Sequence, residues 1–512
     1  MTTEMKNLYE DLVQGMVVDG VNGMTPELKK IIKSAPVDQQ RSMILDIMVE
    51  NNYEHQLLCS KIQKTISAGN ANESKHIKDV VKMLREYVKV SDVEVKKFGE
   101  IMTPIELVEE MLDTLPDNVW SNPNLKWLDP CNGVGTFISV IIERLMKGLT
   151  TFQPDENLRY KHIIENMIFA CELQAKNVFL YLYAFDPKDE YALNIYNGSY
   201  LDKSFDAHMS ELGVEKFDIV VMNPPYNDGN TNRGSAHVLW DKFVEKALET
   251  SLIIDGYLVA VHPDGWRSIG NGFKKVKNLL KSKQMLYLEL HNTNDGFERF
   301  GAYTTYDFYC VRNTENLGNF NTKIKCMDDF MKKEDGTIER IKGVIERADI
   351  SKLSFIPNGM YDAFQKLMPK KGEETVNILY DCNYHIQKEY VSKEQTEEFK
   401  YPVVYVTYKD GSMKLRYSST NTKGHFGIPK VIFSNGGASC PVVDAKGEYA
   451  MTQFAYAIVD DVQNLERIKQ AMLNPEFWKL MSFSDGTTGV GRHRYNWKAI
   501  RLFRKNFWID FL

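Results

Sequence analysis

The sequence lacks several patterns that would assign it to whole classes of protein. Its seven cysteines are scattered, odd in number and without a C-x-x-C pair, which argues against a disulfide framework and a zinc site. Its apolar stretches, such as residues 252–261, are too short to cross a bilayer. The amino terminus, MTTEMKNLYEDL, has no signal-peptide pattern. We therefore expect no metal site, no membrane association and a cytoplasmic location.

The composition is that of an ordinary globular protein, with 43% hydrophobic and 26% charged residues. A length of 512 residues is enough for two or three domains. The net charge of −6 excludes a generally basic nucleic-acid-binding chain. Residues 401–512, however, hold 15 Lys and Arg against 9 Asp and Glu, so positive charge is concentrated at the carboxyl end.

The chain divides into four segments by its hydrophobic pattern. Residues 1–95 are predicted to be helical, and residues 96–315 alternate strands with helices, which is typical of a doubly wound α/β sheet. A charged connector follows over 316–375, and the pattern of 376–512 predicts a mixed α+β domain. The predicted strands of the second segment are 126–128, 167–171, 194–196, 219–222, 257–261, 285–290 and 308–311.

A glycine loop follows the first predicted strand. In the stretch WLDPCNGVGTF, Asp129 stands at the strand tip, and Asn132, Gly133 and Gly135 lie between the strand and an amphipathic helix. Ligands of doubly wound sheets bind at such strand ends, where glycine lets the backbone approach them closely. The spacing differs from the pyrophosphate-binding G-x-G-x-x-G, and a carboxylate here favours a cation. S-adenosylmethionine, which carries an ammonium and a sulfonium, is the predicted cofactor.

Acidic residues also follow the next two predicted strands. Glu172 comes directly after four apolar residues, and a carboxylate there can accept both ribose hydroxyls of a nucleoside cofactor. Its distance from Asp129 along the chain requires a helical insertion near residues 157–165. After the third strand, Asn197 or Asp202 could reach an adenine amino group, and Asp202 is the preferred candidate.

The fourth strand ends in a polar and rigid corner, Asn223-Pro224-Pro225-Tyr226. The Asn223 amide and the Pro224 carbonyl provide two acceptors for one small donor, and Pro225 fixes the backbone because its ring restricts φ. Tyr226 provides a flat face for a conjugated ring. The four residues are predicted to hold an exocyclic amino group on a planar ring and to favour its attack on a methyl group.

This corner and the glycine loop resemble those of amino-methyltransferases, specifically DNA adenine-N6 methyltransferases of the gamma motif order and type I and IIG modification enzymes. The stretch KFGEIMTPIELVEEML, residues 97–112, looks like the segment that precedes their first strand. The resemblance implies a Rossmann-like methyltransferase core that contacts the cofactor through Phe98, Thr103 and Pro104. It further implies a carboxyl-terminal target-recognition domain, double-stranded DNA as partner, and an adenine flipped out of the duplex.

Candidate DNA contacts lie in two later stretches. Phe300 and Tyr303, in DGFERFGAYTTY, occupy the region where the family often places an aromatic residue against the flipped base. Arg492, Arg494 and Tyr495 follow a glycine-rich stretch, and arginine can pair with phosphates or guanine edges. Each of these residues is also compatible with simple packing or a surface loop.

Other functions remain open from the sequence. Related corners occur in enzymes that methylate RNA or protein glutamine, and Glu94 with Lys96 matches the E-x-K pair of metal-dependent nucleases, as in a bifunctional restriction–modification enzyme. A non-catalytic subunit with the same fold is a further alternative. The amino-terminal helices could serve self-association or binding of a restriction or specificity partner.

Overall fold

The computed structural model describes residues 3–19, 21, 24–50, 77, 79–82, 103–186, 188–227, 238–270, 272–326, 329–332, 338–341, 343–434, 439–484 and 495–512. The chain forms two compact units. The first comprises Met1–Pro263, Asn278–Leu288 and Asn294–Leu317, and the second comprises Asp264–Lys277, Glu289–Thr293 and Gly318–Leu512. Three residues of the predicted site and the predicted E-x-K pair fall outside the described residues: Phe98, Arg492, Arg494, Glu94 and Lys96.

The expected helical amino terminus is confirmed by three helices, Thr3–Asp19, Pro26–Ser34 and Val37–Glu50. The second begins after Thr25, whose hydroxyl accepts a hydrogen bond from the Leu28 amide and so caps the helix. These helices belong to the first unit, and Arg41 of the third helix donates to the Leu182 carbonyl at 2.7 Å. No helix in the described part of the chain is long and apolar enough to cross a membrane.

The first unit is built on a mostly parallel sheet, as the alternating pattern predicted. The strands β1 to β7 are Trp127–Asp129, Ile168–Glu172, Asn194–Asn197, Phe217–Met222, Leu252–Pro263, Lys283–His291 and Tyr306–Glu315. They lie in the order β6-β7-β5-β4-β1-β2-β3. Strands β1 to β5 run parallel, and β7 is antiparallel to β5.

The strand order places a switch point between β1 and β4. The chain builds outward from β1 through β2 to β3 and then returns to place β4 on the other side of β1. At such a point, the loops after the two strands diverge and leave a crevice for a ligand. The further helices of this unit are Ile105–Leu112, Thr136–Gly148, Glu156–His162, Ala175–Phe185, Lys203–Glu211 and Trp240–Lys246. Lys274–Ser282 and Thr293–Phe300 each contain residues of both units.

Buried apolar residues on both sides of the sheet hold the unit together. β1 and β2 are completely buried, as expected for strands covered on both faces. A 3-10 turn spans Asp117–Ser121, and π-helical turns over Ile163–Met167 and Ala247–Ser251 lead into β2 and β5. The helix Glu156–His162 is the insertion that the separation of Asp129 from Glu172 required.

The second unit is α+β and contains two four-stranded sheets. The strands β8 to β19 are Thr322–Lys325, Asp329–Lys332, Ile338–Ile341, Ile345–Ala348, Asn377–Leu379, Val391–Ser392, Tyr401–Thr407, Met413–Ser418, Lys430–Ser434, Val442–Asp444, Ala450–Met451 and Ala455–Val459. One of the two sheets has the order β12-β19-β16-β17, and the other has the order β13-β15-β14-β18. The helices are Tyr361–Leu367, Val462–Leu473, Pro475–Ser482 and Trp497–Ile500, with 3-10 turns at Asp264–Arg267, Ile350–Lys352 and Phe507–Phe511.

The segment predicted as a connector, 316–375, has structure of its own. Its strands β8 and β11 pair antiparallel, as do β9 and β10, and the helix Tyr361–Leu367 follows them. Residues from Gly318 onward belong to the second unit, close to the predicted limit of the core at residue 315. The sequence did not reveal these strands because each is only four residues long, which is too short to give a clear hydrophobic alternation.

Candidate active site

The glycine loop after β1 is held against the end of β2. The Asn132 amide donates to the Cys171 carbonyl at 3.0 Å, and the Gly135 amide donates to the Asn132 carbonyl at 2.9 Å. Gly133 and Gly135 have φ of +54° and +93°, which side-chain-bearing residues rarely adopt. The loop thus turns sharply into the helix Thr136–Gly148, whose first residue follows Gly135.

Replacement of Gly135 with alanine is expected to destabilise the first unit. A Cβ atom there would lie 2.5 Å from the Phe185 ring and 2.8 Å from the Tyr181 ring, at an unfavourable φ. Left-handed strain and overpacking together predict a loss of about 2–5 kcal/mol in the free energy of unfolding. Urea denaturation measures this free energy of unfolding. Gly133→Ala is the control, because a Cβ atom at Gly133 would have no other atom within 4 Å. Equal losses in both variants would contradict the packing argument.

Glu172 fixes the position of the glycine loop. Its Oε2 accepts a hydrogen bond from the Gly133 amide at 2.8 Å, and its Oε1 accepts one from the Gln174 amide at 2.8 Å. The side chain is buried, with 7% of its surface exposed. Each carboxylate oxygen has two acceptor sites, so these bonds are compatible with the predicted ribose contact. The support given to Gly133 is a role that the sequence did not predict.

Two buried oxygen acceptors beside the loop have no hydrogen-bond partner within the described residues. They are Oδ2 of Asp129 and Oδ1 of Asn132, in side chains that are 1% and 4% exposed. The other Asp129 oxygen accepts from the Cys131 amide at 3.1 Å. Burial raises the pKa of Asp129 to about 8. The hydrogen bond from Cys131 opposes this shift, and the nearby charge of Glu172 adds to it. A cationic or hydrogen-donating ligand would satisfy both oxygens.

The Asn223 corner lies beside this loop at the switch point. The Asn223 Nδ2 donates to the Thr103 hydroxyl at 2.9 Å, which makes Oδ1 the acceptor atom of this side chain. Burial raises the pKa of the Cys131 thiol, and the nearby backbone of Asn223 opposes this shift, so the corner lies next to the glycine loop. Thr103 is buried and immediately precedes Pro104, the residue before the helix Ile105–Leu112. The structure therefore brings the three predicted motifs together.

Tyr226 completes the corner with a buried polar atom. Its hydroxyl has no hydrogen-bond partner within the described part of the chain. Burial raises the pKa of this phenol above its ordinary value, so it stays neutral. The Tyr226 carbonyl accepts a hydrogen bond from the Leu239 amide at 3.1 Å. An unsatisfied buried hydroxyl is costly, and a bound substrate could supply its partner.

Two aromatic side chains that the sequence analysis missed come from the helix after the corner and from β5, the strand paired with β4. Trp240 begins the helix after Leu239 and stacks on His262, with ring centroids 3.9 Å apart and planes inclined by 12°. His262 lies near the carboxyl end of β5, and its Nε2 is 2.8 Å from the Tyr309 hydroxyl. Burial lowers the pKa of His262 to about 3, so the ring is neutral. The sequence offered one sign of this contact, a histidine that directly follows the apolar run Leu258–Val261.

The remaining predicted residues lie in different surroundings. Asp202 is exposed and precedes the helix Lys203–Glu211, which its side chain does not cap. Phe300 is half-buried, with its ring edge-on to Tyr306 at 5.0 Å. Tyr303 is 74% exposed and stacks on Phe297 at 4.4 Å, so this ring is available to a ligand.

Tyr495 fills the interior of the second unit. It is 3% exposed, and its hydroxyl donates to the Met472 carbonyl at 3.1 Å. Its ring packs edge-on against Phe433, with centroids 5.6 Å apart. A side chain so enclosed serves packing in this unit, and the contact of Tyr495 with DNA stays a prediction. The sequence could not distinguish these roles, because an aromatic residue after a glycine-rich stretch is compatible with both.

The sheet order, with a site at its switch point, resembles the Rossmann-like fold of methyltransferases. Within it, residues 126–297 match the family model described as Eco57I restriction-modification methylase. An uncharacterized adenine-specific methylase of Mycoplasma pneumoniae is 27% identical, with 36% of this chain and 60% of that protein covered. The resemblance to adenine-specific modification methylases is therefore confirmed for the segment that contains the glycine loop and the Asn223 corner.

Several solved structures are also similar to this chain. The type IIL restriction–modification enzyme MmeI, in complex with DNA, is 11% identical with a TM-score of 0.47, and 83% of this chain and 70% of that chain are covered. The EcoKI M protein of a type I restriction enzyme is 13% identical with a TM-score of 0.33, and 63% of this chain and 71% of that chain are covered.

Proposed function

We propose that this protein transfers a methyl group from S-adenosylmethionine to the N6 amino group of adenine in duplex DNA, as the modification enzyme of a restriction–modification or phage–host system. The observation that carries the proposal is the contact between the Asn223 corner and the glycine loop, beside the buried oxygens of Asp129 and Asn132. The match to a restriction-modification methylase family supports the reaction class.

The residues around the glycine loop suit the proposed cofactor. Asp129 and Asn132 offer acceptors for its cationic methionine part, and open space beside Gly133 lets the ligand approach the backbone. Glu172 and Asp202 are the candidates for its ribose hydroxyls and adenine amino group, and Phe98, Thr103, Pro104 and Gly135 complete the proposed cofactor-binding set. When bound, S-adenosylmethionine supplies an electrophilic methyl group.

The corner is proposed to bind and activate the target amino group. Asn223 Oδ1 and the Pro224 carbonyl accept hydrogen bonds from the two N6 hydrogens, which localises the nitrogen lone pair for attack. Tyr226 stacks on the flipped adenine, and Tyr303 or Phe300 is the candidate for its opposite face. Transfer then needs no strong base, because the nitrogen loses its proton to solvent after it has gained the methyl group.

Incubation with unmodified genomic DNA and labelled S-adenosylmethionine tests the proposal. We expect label at adenine N6 within one short sequence motif, mapped by long-read sequencing. Label on RNA or on protein glutamine, with none on DNA, would replace the proposed substrate. Mg²⁺-dependent cleavage of the same DNA would indicate a bifunctional enzyme. Absence of all labelling by a protein that binds the cofactor would point to a missing specificity partner.

A further inference from the structure

The hairpin of β14 and β15 in the second unit carries two cations over one aromatic ring. The Arg416 guanidinium carbon lies 4.9 Å from the centroid of the Tyr405 ring, and the Lys414 ammonium lies 5.7 Å from it. Successive side chains of a strand point to opposite faces, so Lys414 and Arg416 share one face of β15. Leu415, between them, packs with buried Val404 on the other face. The two cations therefore lie on the face turned away from this core.

A β-bulge places the tyrosine beside both cations. Val404 pairs with Leu415 and Val406 pairs with Lys414, which leaves Tyr405 as the extra residue of β14. Bulges of this kind redirect a side chain from the regular alternation of the strand. The ring of Phe454, which is 42% exposed, packs edge-on against the Tyr405 ring at 5.1 Å. The two aromatic rings thus form a fixed support for the cations.

Neither cation is neutralised within the described part of the chain. Lys414 and Arg416 form no ion pair there, and the buried Nε of Arg416 has no hydrogen-bond acceptor. Other cations of the same unit are paired, as in Lys430 with Asp444 at 2.7 Å and Lys505 with Glu374 at 2.9 Å. Two like charges side by side on one strand repel each other, and an anionic partner would remove that cost.

We propose that this cationic face, formed by Tyr405, Lys414 and Arg416, binds the phosphate backbone of duplex DNA. The inference rests on the proposed function. The planar guanidinium fork matches phosphate oxygens, and its contact with the Tyr405 ring limits the conformational entropy that binding would cost. The excess of positive charge over residues 401–512 favours a polyanion. Such contacts position the duplex and carry no sequence information of their own.

The test measures how the 512-residue chain binds a duplex oligonucleotide at salt concentrations between about 50 and 200 mM. Each phosphate contact contributes about 0.9 to the slope of log K against log salt. Lys414→Ala combined with Arg416→Ala should reduce that slope by about 1.8. Arg416→Lys alone keeps the charge and should leave the slope unchanged. Lys505→Ala is the matched control, because its charge is already compensated by Glu374.

The outcomes separate this inference from the function on which it rests. If the wild-type protein does not bind duplex DNA even at 50 mM salt, the proposed DNA substrate is wrong. If it binds and the double variant keeps the wild-type slope, the cationic face does not contact DNA, whereas the proposed substrate stands. Should the double variant not fold, Lys414→Gln, at an exposed position, should still lower the slope by about 0.9.

Discussion

Asn223→Ala is expected to lower the rate of methyl transfer by about 10²–10³-fold, the range found when one preorganised polar group is removed from an active site. The amide nitrogen of Asn223 is held by Thr103, and its oxygen is the proposed acceptor for the target amino group. Without that acceptor, the lone pair of the target nitrogen is no longer localised for attack. Single-turnover kinetics with saturating cofactor and DNA measures the transfer step itself, and equilibrium dialysis should show cofactor affinity nearly unchanged.

Thr103→Val provides the graded control for Asn223→Ala. It removes the hydroxyl that orients the amide and keeps the acceptor, so the loss corresponds to one neutral hydrogen bond, about 1 kcal/mol or about fivefold in rate. If Asn223→Ala retained most of the wild-type rate, the proposed chemistry of the corner would be wrong. If it lost cofactor binding to the same extent as transfer, Asn223 would serve the cofactor site instead.

The affinity for S-adenosylmethionine is expected to increase with pH up to about 8. The pKa of Asp129 is raised from its ordinary value of 3.8 to about 8, so the buried carboxyl is mostly protonated at pH 7 in the ligand-free protein. A bound cation favours the carboxylate, and binding below pH 8 therefore releases a proton. The affinity should increase by up to about tenfold per pH unit below 8 and level off above it. Calorimetry in buffers of different ionisation enthalpy measures the proton released.

Asp129→Asn is the control for this pH dependence. It keeps an acceptor for the Cys131 amide and removes the titrating group, so the affinity should be lower and nearly independent of pH. Because the variant loses a hydrogen bond to a charged group, its affinity for S-adenosylmethionine at pH 8 should be about 10- to 100-fold lower than that of the wild type. In the ligand-free wild type, a carboxyl pKa raised on folding means that the free energy of unfolding falls as pH rises from about 4 to 8. A pH-independent wild-type affinity would contradict the assignment of Asp129.

The sheet and the corner were predictable because each depends on a local pattern. The seven predicted strands of the core all occur, with ends that differ by a few residues. β5 begins earlier than predicted, at Leu252, and its pairing with β4 shifts register between Leu252 and Tyr257. The bond between Asn223 and Thr103 joins residues 120 positions apart, and no local pattern encodes such a contact. The stack of Trp240 on His262 is also not encoded locally, because these two residues become neighbours only through the parallel pairing of β4 with β5.

The division of the chain into two units limits how the carboxyl-terminal unit could be exchanged between relatives. Two short stretches that interrupt the core sequence, Asp264–Lys277 and Glu289–Thr293, belong to the second unit. A recombination event with one crossover after Leu317 would keep these stretches of the old protein beside a new carboxyl-terminal unit. Truncation after Pro263 would instead remove β7, whose residues Tyr306–Arg312 pair with β5. It would leave β5, still paired with β4 on its other side, as a long exposed edge strand prone to aggregation. A functional chimaera therefore requires three coordinated replacements.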